Sequence, residues 1–370
     1  MDTLNITDIN IFRFAIPLNK PLTVTGERLS FRRGYIVQII ACNGLQGLGE
    51  ISPLPGLHRE TPEECLTEIV NATKAMRQHP VAATEPDQCS TYMDTILPAG
   101  PKVPSVRFGL EQALSDLYAR TNDILLFAKP GGIVRKFVYV NALITSEPSA
   151  LLQTVDDRIR EGYVSLKIKV GRYPIREESA RLNRILAHID SPITIRLDAN
   201  KSWTLQEACT FFRNIERISA IEYVEEPLQE NTYLADFYQH TRIPYALDES
   251  LQDQNRTEDF ISPGLKAILI KPSVLGSLKT IRSFIDFAEK NRLETVISDT
   301  FSSGIGLYGA ACLAASVPEA DTAAGLDTYR NLDEDILVQP LVYDRGSFNL
   351  DENRKRYGQL NPEKLEKIDV

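Results

Sequence analysis

The sequence predicts an α/β protein, a β/α barrel preceded by a small α+β domain and followed by a short tail. Three observations lead there. Two segments in the first hundred residues alternate apolar and polar positions, the period of half-buried strands. From about residue 136, short β-branched runs alternate with amphipathic stretches, the rhythm of βαβ units. The ends of those later strands carry ionisable residues at nearly constant spacing.

In chain order, Asn10–Pro17 (NIFRFAIP) and Gly34–Ala41 (GYIVQIIA) read as strands. The stretch between them, Gly26–Gly34 (GERLSFRRG), is charged and turn-rich and is expected to form an exposed loop. Thr61-Pro62-Glu63-Glu64 starts a helix, with a Thr cap, proline in the first turn and acids behind it. A second start at Ser105 leads into VRFGLEQALSDLYAR, apolar at 106, 110, 113, 114 and 117. Together these define an expected α+β capping domain over residues 1–105.

The barrel is expected over 106–335. Its candidate strands are Phe137–Leu143, Ser165–Val170, Ile193–Leu197, Ile221–Val224, Tyr245–Ala246, Ala267–Ile270 and Glu294–Ile297. Glu177–Ile189, Leu205–Glu216 and Ser277–Asn291 read as helices between them. Seven strands in series over about 200 residues suit a closed barrel better than a doubly wound sheet. No G-x-G-x-x-G or Walker loop follows the first strand to argue otherwise. Residues 336–370 are expected to leave the barrel and pack back on the capping domain.

Composition removes several classes of function. With 41 Lys+Arg against 50 Asp+Glu over 370 residues, the net charge is −9 and no basic domain stands out. Nucleic acid and anionic membrane are therefore not expected partners. No run of about 18 apolar residues occurs, and MDTLNITDINIF has acids where a signal peptide needs Lys or Arg. The five scattered cysteines (Cys42, Cys65, Cys89, Cys209, Cys312) form no C-x-x-C pair and are expected to be buried thiols of a reducing cytoplasm. The oligomeric state stays open, a monomer included.

Chemistry enters at the strand ends, where β/α barrels place their reactive groups. Lys167-Ile-Lys169 ends one strand, Asp198-Ala-Asn200 the next, then Glu225-Glu226-Pro227, Asp248-Glu249-Ser250 and Lys271-Pro272. The steps are 198 − 169 = 29, 225 − 198 = 27, 248 − 225 = 23 and 271 − 248 = 23, each about one βα unit. Asp198, Glu225 and Asp248 would converge from three consecutive strands, and three like charges repel unless a cation neutralises them. All-oxygen ligation with open positions suits Mg²⁺, with Mn²⁺ a possible substitute.

Lys167 and Lys169 share a strand face, so each is expected to lower the other's pKa from about 10.4 towards the ~7–8 of a base. Lys271 arrives from the opposite side of the pocket. The set fits removal of a proton next to a carboxylate, with cations stabilising the enediolate. Glu226 and Glu249, each beside a proposed ligand, are expected to point away from the site. Asn200 shares the face of Asp198 and is a candidate for orienting a ligand or a lysine, whereas Trp203 reads as packing. His58, His79, His188 and His240 lie outside the series and read as surface or satisfied residues. A Schiff-base aldolase using Lys169 would not need three carboxylates, and an inactive binding barrel would keep a costly charge cluster idle.

These motifs resemble the enolase superfamily in its muconate-lactonising branch, with its K-x-K pair, D-x-N, E-x-P, D-E-S and a later lysine. Here they stand as LKIKVG, RLDANKSW, VEEPL, LDESL and LIKPSVLGS. The resemblance implies a modified TIM (β/α) barrel with an N-terminal α+β capping domain completed by the C-terminal tail. Gly49–Gly56 (GEISPLPG), Glu60-Thr61, Pro104-Ser105-Val106, Phe108-Gly109, IKPSVLGSL and Ala324–Thr328 are similar to proteobacterial o-succinylbenzoate synthases. That likeness implies Lys169 as base and then acid, Lys167 and Lys271 stabilising the enediolate, and Mg²⁺ on Asp198, Glu225 and Asp248. The implied partner is a small-molecule carboxylate, with Asn200, Ser298 and Ser303 as candidate contacts. Dipeptide epimerases and N-acylamino acid racemases share the same machinery and form the alternative. In SDTFSSGIG an acid is expected at 302 and Asp299 is not.

Overall fold

The computed structural model describes residues 5–24, 27–79, 85–98, 103–128, 135–145, 149–189, 192–252, 260–318 and 322–369. The chain opens with β1 (Ile6–Val24), β2 (Glu27–Ala41) and β3 (Gln46–Ile51), followed by α1 (Pro62–Gln78), α2 (Pro86–Ile96) and α3 (Pro104–Thr121). β1 and β2 pair antiparallel along their whole length, from Ile6↔Ala41 to Val24↔Glu27. Gly26–Gly34 is therefore a correction: residues 27–34 belong to β2, and Gly26 lies outside the described residues. The charges that suggested a loop are the solvent faces of a long two-stranded arm, while Arg32 turns inward and is 2 % exposed.

Helix α1 begins where the Thr-Pro-Glu-Glu pattern placed it. Thr61 accepts from the Glu64 amide and Glu64 reaches back to Thr61, a reciprocal capping box. α3 packs against β3 with almost no space between backbones: a Cβ on Gly49 would lie 1.8 Å from the Gly109 carbonyl oxygen. α3 is buried nearly all round.

The second region runs β4 (Phe137–Tyr139), β5 (Ala142–Ile144), α4 (Leu151–Arg160), β6 (Ser165–Lys169), α5 (Ile175–His188), β7 (Thr194–Asp198), α6 (Leu205–Arg213) and β8 (Ile221–Glu225). It continues through α7 (Leu234–Thr241), β9 (Tyr245–Leu247), β10 (Leu265–Ile270), α8 (Pro272–Leu275), α9 (Leu278–Lys290), β11 (Glu294–Ile297) and α10 (Gly304–Ser316). β5 to β11 form one seven-stranded parallel sheet in sequence order. The segment expected as one strand over Phe137–Leu143 divides, because β4 pairs instead with β12 (Ser347–Asn349).

The ring closes without a regular eighth strand. Ala324 donates to Tyr139 O and accepts from Asn141 N, while Gly325 donates to Ile297 O and accepts from Asp299 N. Residues 324–325 thus bridge the first and last strands, and the architecture is a modified TIM barrel. After α11 (Leu350–Arg354) the chain returns, and β13 (Glu366–Ile368) pairs antiparallel with β1 through Ile11↔Ile368. Cys65, Cys89 and Cys312 are buried, Cys209 is half-buried, and Cys42 is exposed beyond β2, against the expectation for it. Among the described residues no helix is long and apolar enough to cross a membrane.

Two buried ions join the antiparallel sheet to the barrel. Arg32 donates from Nε to Phe301 O (2.9 Å), from Nη1 to Pro53 O (3.2 Å) and from Nη2 to Ser52 O (2.6 Å). Burial pushes the Arg32 guanidinium down to about 10, opposed by the charges of Glu50 and Asp299. Glu50 accepts from Ser303 Oγ (2.5 Å), Ser303 N (3.0 Å) and Gly306 N (2.8 Å) at the N-terminus of α10. One side of the interface is thus a cation meeting carbonyls, the other an anion meeting a helix start.

Removing Arg32 leaves the carbonyls of Ser52, Pro53, Thr300 and Phe301 unpaired, at a total of about 3–5 kcal/mol, since each buried unpaired acceptor costs about 1–3 kcal/mol. Arg32→Met is expected to lose that much in urea unfolding, and Arg32→Lys to recover only part because the planar fork is gone. A loss below about 1 kcal/mol for Arg32→Met would dismiss this clamp as a stabilising feature.

Candidate active site

Side chains two apart on a strand share a face. This puts Lys167 and Lys169 of β6, Arg196 and Asp198 of β7, and Tyr223 and Glu225 of β8 inside the ring. Register brings Lys169 beside Asp198 and Asp198 beside Glu225, so the strand ends stand at one level. Asp248 and Lys271 follow β9 and β10 directly.

These groups are in contact. Lys167 Nζ lies 2.9 Å from Asp198 Oδ2 and 2.7 Å from Glu225 Oε2. Lys169 Nζ is 2.6 Å from the same Asp198 oxygen, and Lys271 donates to Asp248. Asp198 and Glu225 are each 1 % exposed and Asp248 4 %. Lys169 also donates to Asn200 Oδ1 at 2.6 Å, and Asn200 Nδ2 donates to Glu249 Oε1 at 2.8 Å.

The electrostatics correct one expectation. Burial disfavours the Lys167 ammonium, but Asp198, Glu225 and Asp248 outweigh it and hold its pKa well above the ordinary lysine value. Lys271 is likewise raised, burial being outweighed chiefly by Asp248. Carboxylates, not the neighbouring lysine, set these values. Burial alone would lift Asp198, yet Lys167 and Lys169 hold it below the usual carboxylate range. Glu225 goes the other way: burial and the charge of Asp198 push its carboxyl well up.

That last shift tests the site for a cation. Glu225 sits beside both Asp198 and Asp248, so this carboxyl carries a like-charge burden that the lysines only partly relieve. Among the described residues no three carboxylates already surround one cation-sized position, because lysine ammoniums stand between them. The donor set itself, all oxygen and crowded, fits a hard divalent ion. Lys167 and Lys271 are held protonated by the same oxygens that such an ion would engage.

A cavity of about 490 Å³ covers this cluster. The antiparallel sheet domain contributes Leu22, Thr23 and Val24 from the β1–β2 arm and Leu54, Gly56 and Leu57 from the loop after β3. The barrel contributes Lys167, Lys169, Asp198, Asn200, Glu225, Lys271 and Ser298, together with Asn141, Leu143, Thr145, Arg172, Tyr223, Leu269 and Thr328, which sequence reasoning had not singled out. Tyr223 and Leu269 stand two residues before Glu225 and Lys271, so strand alternation alone pointed to them. The long-range contributions of β5 and the arm had no such signal.

Two site assignments change. Ser303 is fully buried behind the cavity, where its hydroxyl caps α10 and donates to Glu50. Glu249 does not point away but lines the cavity. Glu226 does point away: it accepts from the amides of Asp248 and Ser250 and from the Ser250 hydroxyl, and burial lifts it to about 7. Asp299, unexpected beside an anion site, accepts from Ser302 N and Thr328 Oγ1. Trp203 is buried against Phe211, their ring centroids 4.6 Å apart. His58 is buried too, its Nδ1 accepting from Leu54 N and its Nε2 3.1 Å from Ser273 Oγ.

Comparisons with known proteins follow these same two parts. Residues 150–354 match the family described as "Enolase C-terminal domain-like", and residues 6–117 the family described as "MenC, N-terminal domain". An o-succinylbenzoate synthase of Pasteurella multocida (strain Pm70) is 30 % identical over 337 residues, covering 90 % of this chain and 92 % of that one. A solved member of the enolase superfamily from Roseovarius nubinhibens, complexed with magnesium, superposes with TM-score 0.82 at 21 % identity, covering 99 % of this chain and 100 % of that one. A dipeptide epimerase of Cytophaga hutchinsonii, complexed with Mg and a dipeptide, gives 0.82 at 23 %, covering 98 % and 99 %.

Burial, reinforced by Arg32, lowers the His58 pKa to about 3, so the ring is neutral in the fold. The unfolded chain protonates it near 6.5. Its contribution is present above pH 6.5 and falls as the pH drops from there towards 3, at about 1.4 kcal/mol per pH unit. Unfolding free energies at pH 4–6 should lose that slope component in His58→Gln. An unchanged slope would show that His58 titrates in the fold as it does in the unfolded chain.

Proposed function

Because this chain belongs to the enolase superfamily, we propose that it is an o-succinylbenzoate synthase, a hydro-lyase of menaquinone biosynthesis. It would convert 2-succinyl-6-hydroxy-2,4-cyclohexadiene-1-carboxylate to o-succinylbenzoate and water. One observation carries the choice within the superfamily. The residues that roof the cavity, Leu22–Val24 and Leu54–Leu57, lie inside the segment matching the MenC N-terminal family. The part of the pocket that the barrel does not supply thus falls within the segment matching this family.

In this reading Lys169, as the neutral amine, takes the proton from the ring carbon bearing the carboxylate. The C–H electrons move into an enediolate, which the ammonium groups of Lys167 and Lys271 stabilise. The C6 hydroxyl then leaves as water, its proton supplied by Lys169, and the ring becomes aromatic. Lys271, reaching in from β10 on the side opposite β6, also faces the ring as a cation–π partner. Asp198, Glu225 and Asp248 would hold Mg²⁺, or Mn²⁺ as another hard cation, which when bound supplies positive charge to the substrate carboxylate. Asn200 and Ser298 line the cavity within this arrangement and are the proposed substrate-side contacts.

A second reading is favoured by one observation, the fold similarity to a dipeptide epimerase over nearly the whole chain. There Lys169 and Lys271 would act as two bases on opposite faces of one α-carbon.

Turnover of the cyclohexadiene substrate decides between them. The proposal expects conversion with Mg²⁺, its loss with chelator, and a fall of at least about 10³-fold in Lys169→Ala with Mg²⁺ binding retained. A folded, Mg²⁺-binding protein that leaves the cyclohexadiene untouched but exchanges the α-proton of dipeptides would replace the first reading with the second. Calorimetric Mg²⁺ titration should show Asp248→Asn weakening affinity more than about 100-fold and Glu249→Gln weakening it less. The opposite order would move the ligand role to Glu249.

A further inference from the structure

One carboxylate of the cavity has no part in the chemistry above. Glu249 lines the cavity, and its Oε1 receives Asn200 Nδ2 at 2.8 Å. On its other side the same amide, through Oδ1, receives Lys169 Nζ at 2.6 Å. Glu249 Oε2 is buried without a hydrogen-bond partner.

We propose that Glu249 is a positioning residue for Lys169, acting through Asn200. An amide has two nearly isosteric ends, one accepting and one donating, and a lysine is met correctly only by the oxygen. A carboxylate can only accept, so Glu249 binds the NH₂ end and leaves the oxygen facing Lys169. Without it the amide is free to turn its NH₂ towards the ammonium and drive the lysine off its line.

The backbone on both sides is built for this contact. Asn200 and Lys201 are consecutive left-handed residues, φ +44° and +57°, a conformation that asparagine tolerates better than most. The turn is held by Asn200 N donating to Asp198 Oδ1 and Lys201 N donating to Glu226 O. Across the gap, Glu226 Oε1 takes the amides of Asp248 and Ser250, fixing the backbone on either side of Glu249. Glu226 itself sits at φ +43°. Strained backbone kept in three residues around one side-chain pair marks a geometry that the fold over-determines.

This inference rests on Lys169 as the base of the proposed reaction. The experiment measures kcat, KM and the primary isotope effect with cyclohexadiene deuterated at the ring carbon that loses its proton. Variants are Glu249→Leu, Glu249→Gln, Asn200→Leu and the double Asn200→Leu/Glu249→Leu, each with melting temperature and Mg²⁺ affinity recorded. A misplacement of about 1 Å at a reacting group costs on the order of 10²-fold. Glu249→Leu should therefore lose about 10–100-fold in kcat with KM within threefold, and show a larger isotope effect than wild type. The double variant should be no worse than Asn200→Leu alone, and Glu249→Gln, which keeps an acceptor, should recover most of the loss. Additive losses, or a kcat loss tracking melting temperature or Mg²⁺ affinity with the isotope effect unmoved, would overturn the proposal. A crystal structure of Glu249→Leu separates its failure from that of the functional reading. Lys169 still on Asn200 Oδ1 rejects the positioning role whatever the substrate. Loss of that contact in a protein whose wild type leaves the cyclohexadiene unchanged rejects only the substrate.

Discussion

The structure depends on a repulsion. Three carboxylates, Asp198, Glu225 and Asp248, are driven together at adjacent strand ends, almost wholly out of water, and none can be ionised there cheaply without compensation. Parallel strands with matched register make the crowding unavoidable, since every strand ends at the same level of the ring. Compensation comes from three lysines, two on one strand and one from across the pocket. The site is thus a charge lattice with alternating sign, and changing any corner alters the protonation of the rest.

Holding that lattice steady falls to groups that carry no chemistry of their own. Glu226 ties down the backbone on either side of Glu249, and Arg32 and Glu50 tie the roof of the cavity to its rim. Arg32 binds carbonyls of the 52–53 and 300–301 segments at once, so the loop after β3 and the loop after β11 are fixed to a single planar group. A roof fixed in this way is already formed before any ligand arrives, which lowers the ordering cost of binding. The barrel supplies reactive groups and the antiparallel sheet supplies their enclosure.

Features with a local cause were legible in the sequence. The Thr61 capping box needs only four residues, and the recurrence of Lys, Asp, Glu, Asp and Lys follows from one βα unit of spacing. Lys167, Lys169, Asp198, Glu225, Asp248 and Lys271 were named from that spacing, and the structure brings all six into one cluster. What escaped was set by distant partners. The 27–34 segment looks like a loop until β1 is laid beside it, and Ser303 reads as a substrate contact until Glu50 arrives from 253 residues away. α10 has no polar face because it is enclosed on every side, so its helical period is invisible in GIGLYGAACLAAS. The pKa of Lys167 was misjudged for a related reason: its partner lysine was weighed, and the carboxylates of the following strands prevail.

The pairing of β13 with β1 has a consequence for how the protein is made. One edge of β1 is taken by β2 as soon as both have emerged, but its other edge waits for residues 366–368. At about 5–20 residues per second, the ribosome leaves that edge open for tens of seconds. An unpaired strand edge is a template for another chain. The nascent protein therefore carries an open template at Ile11–Arg13 until residues 366–368 arrive to cover it.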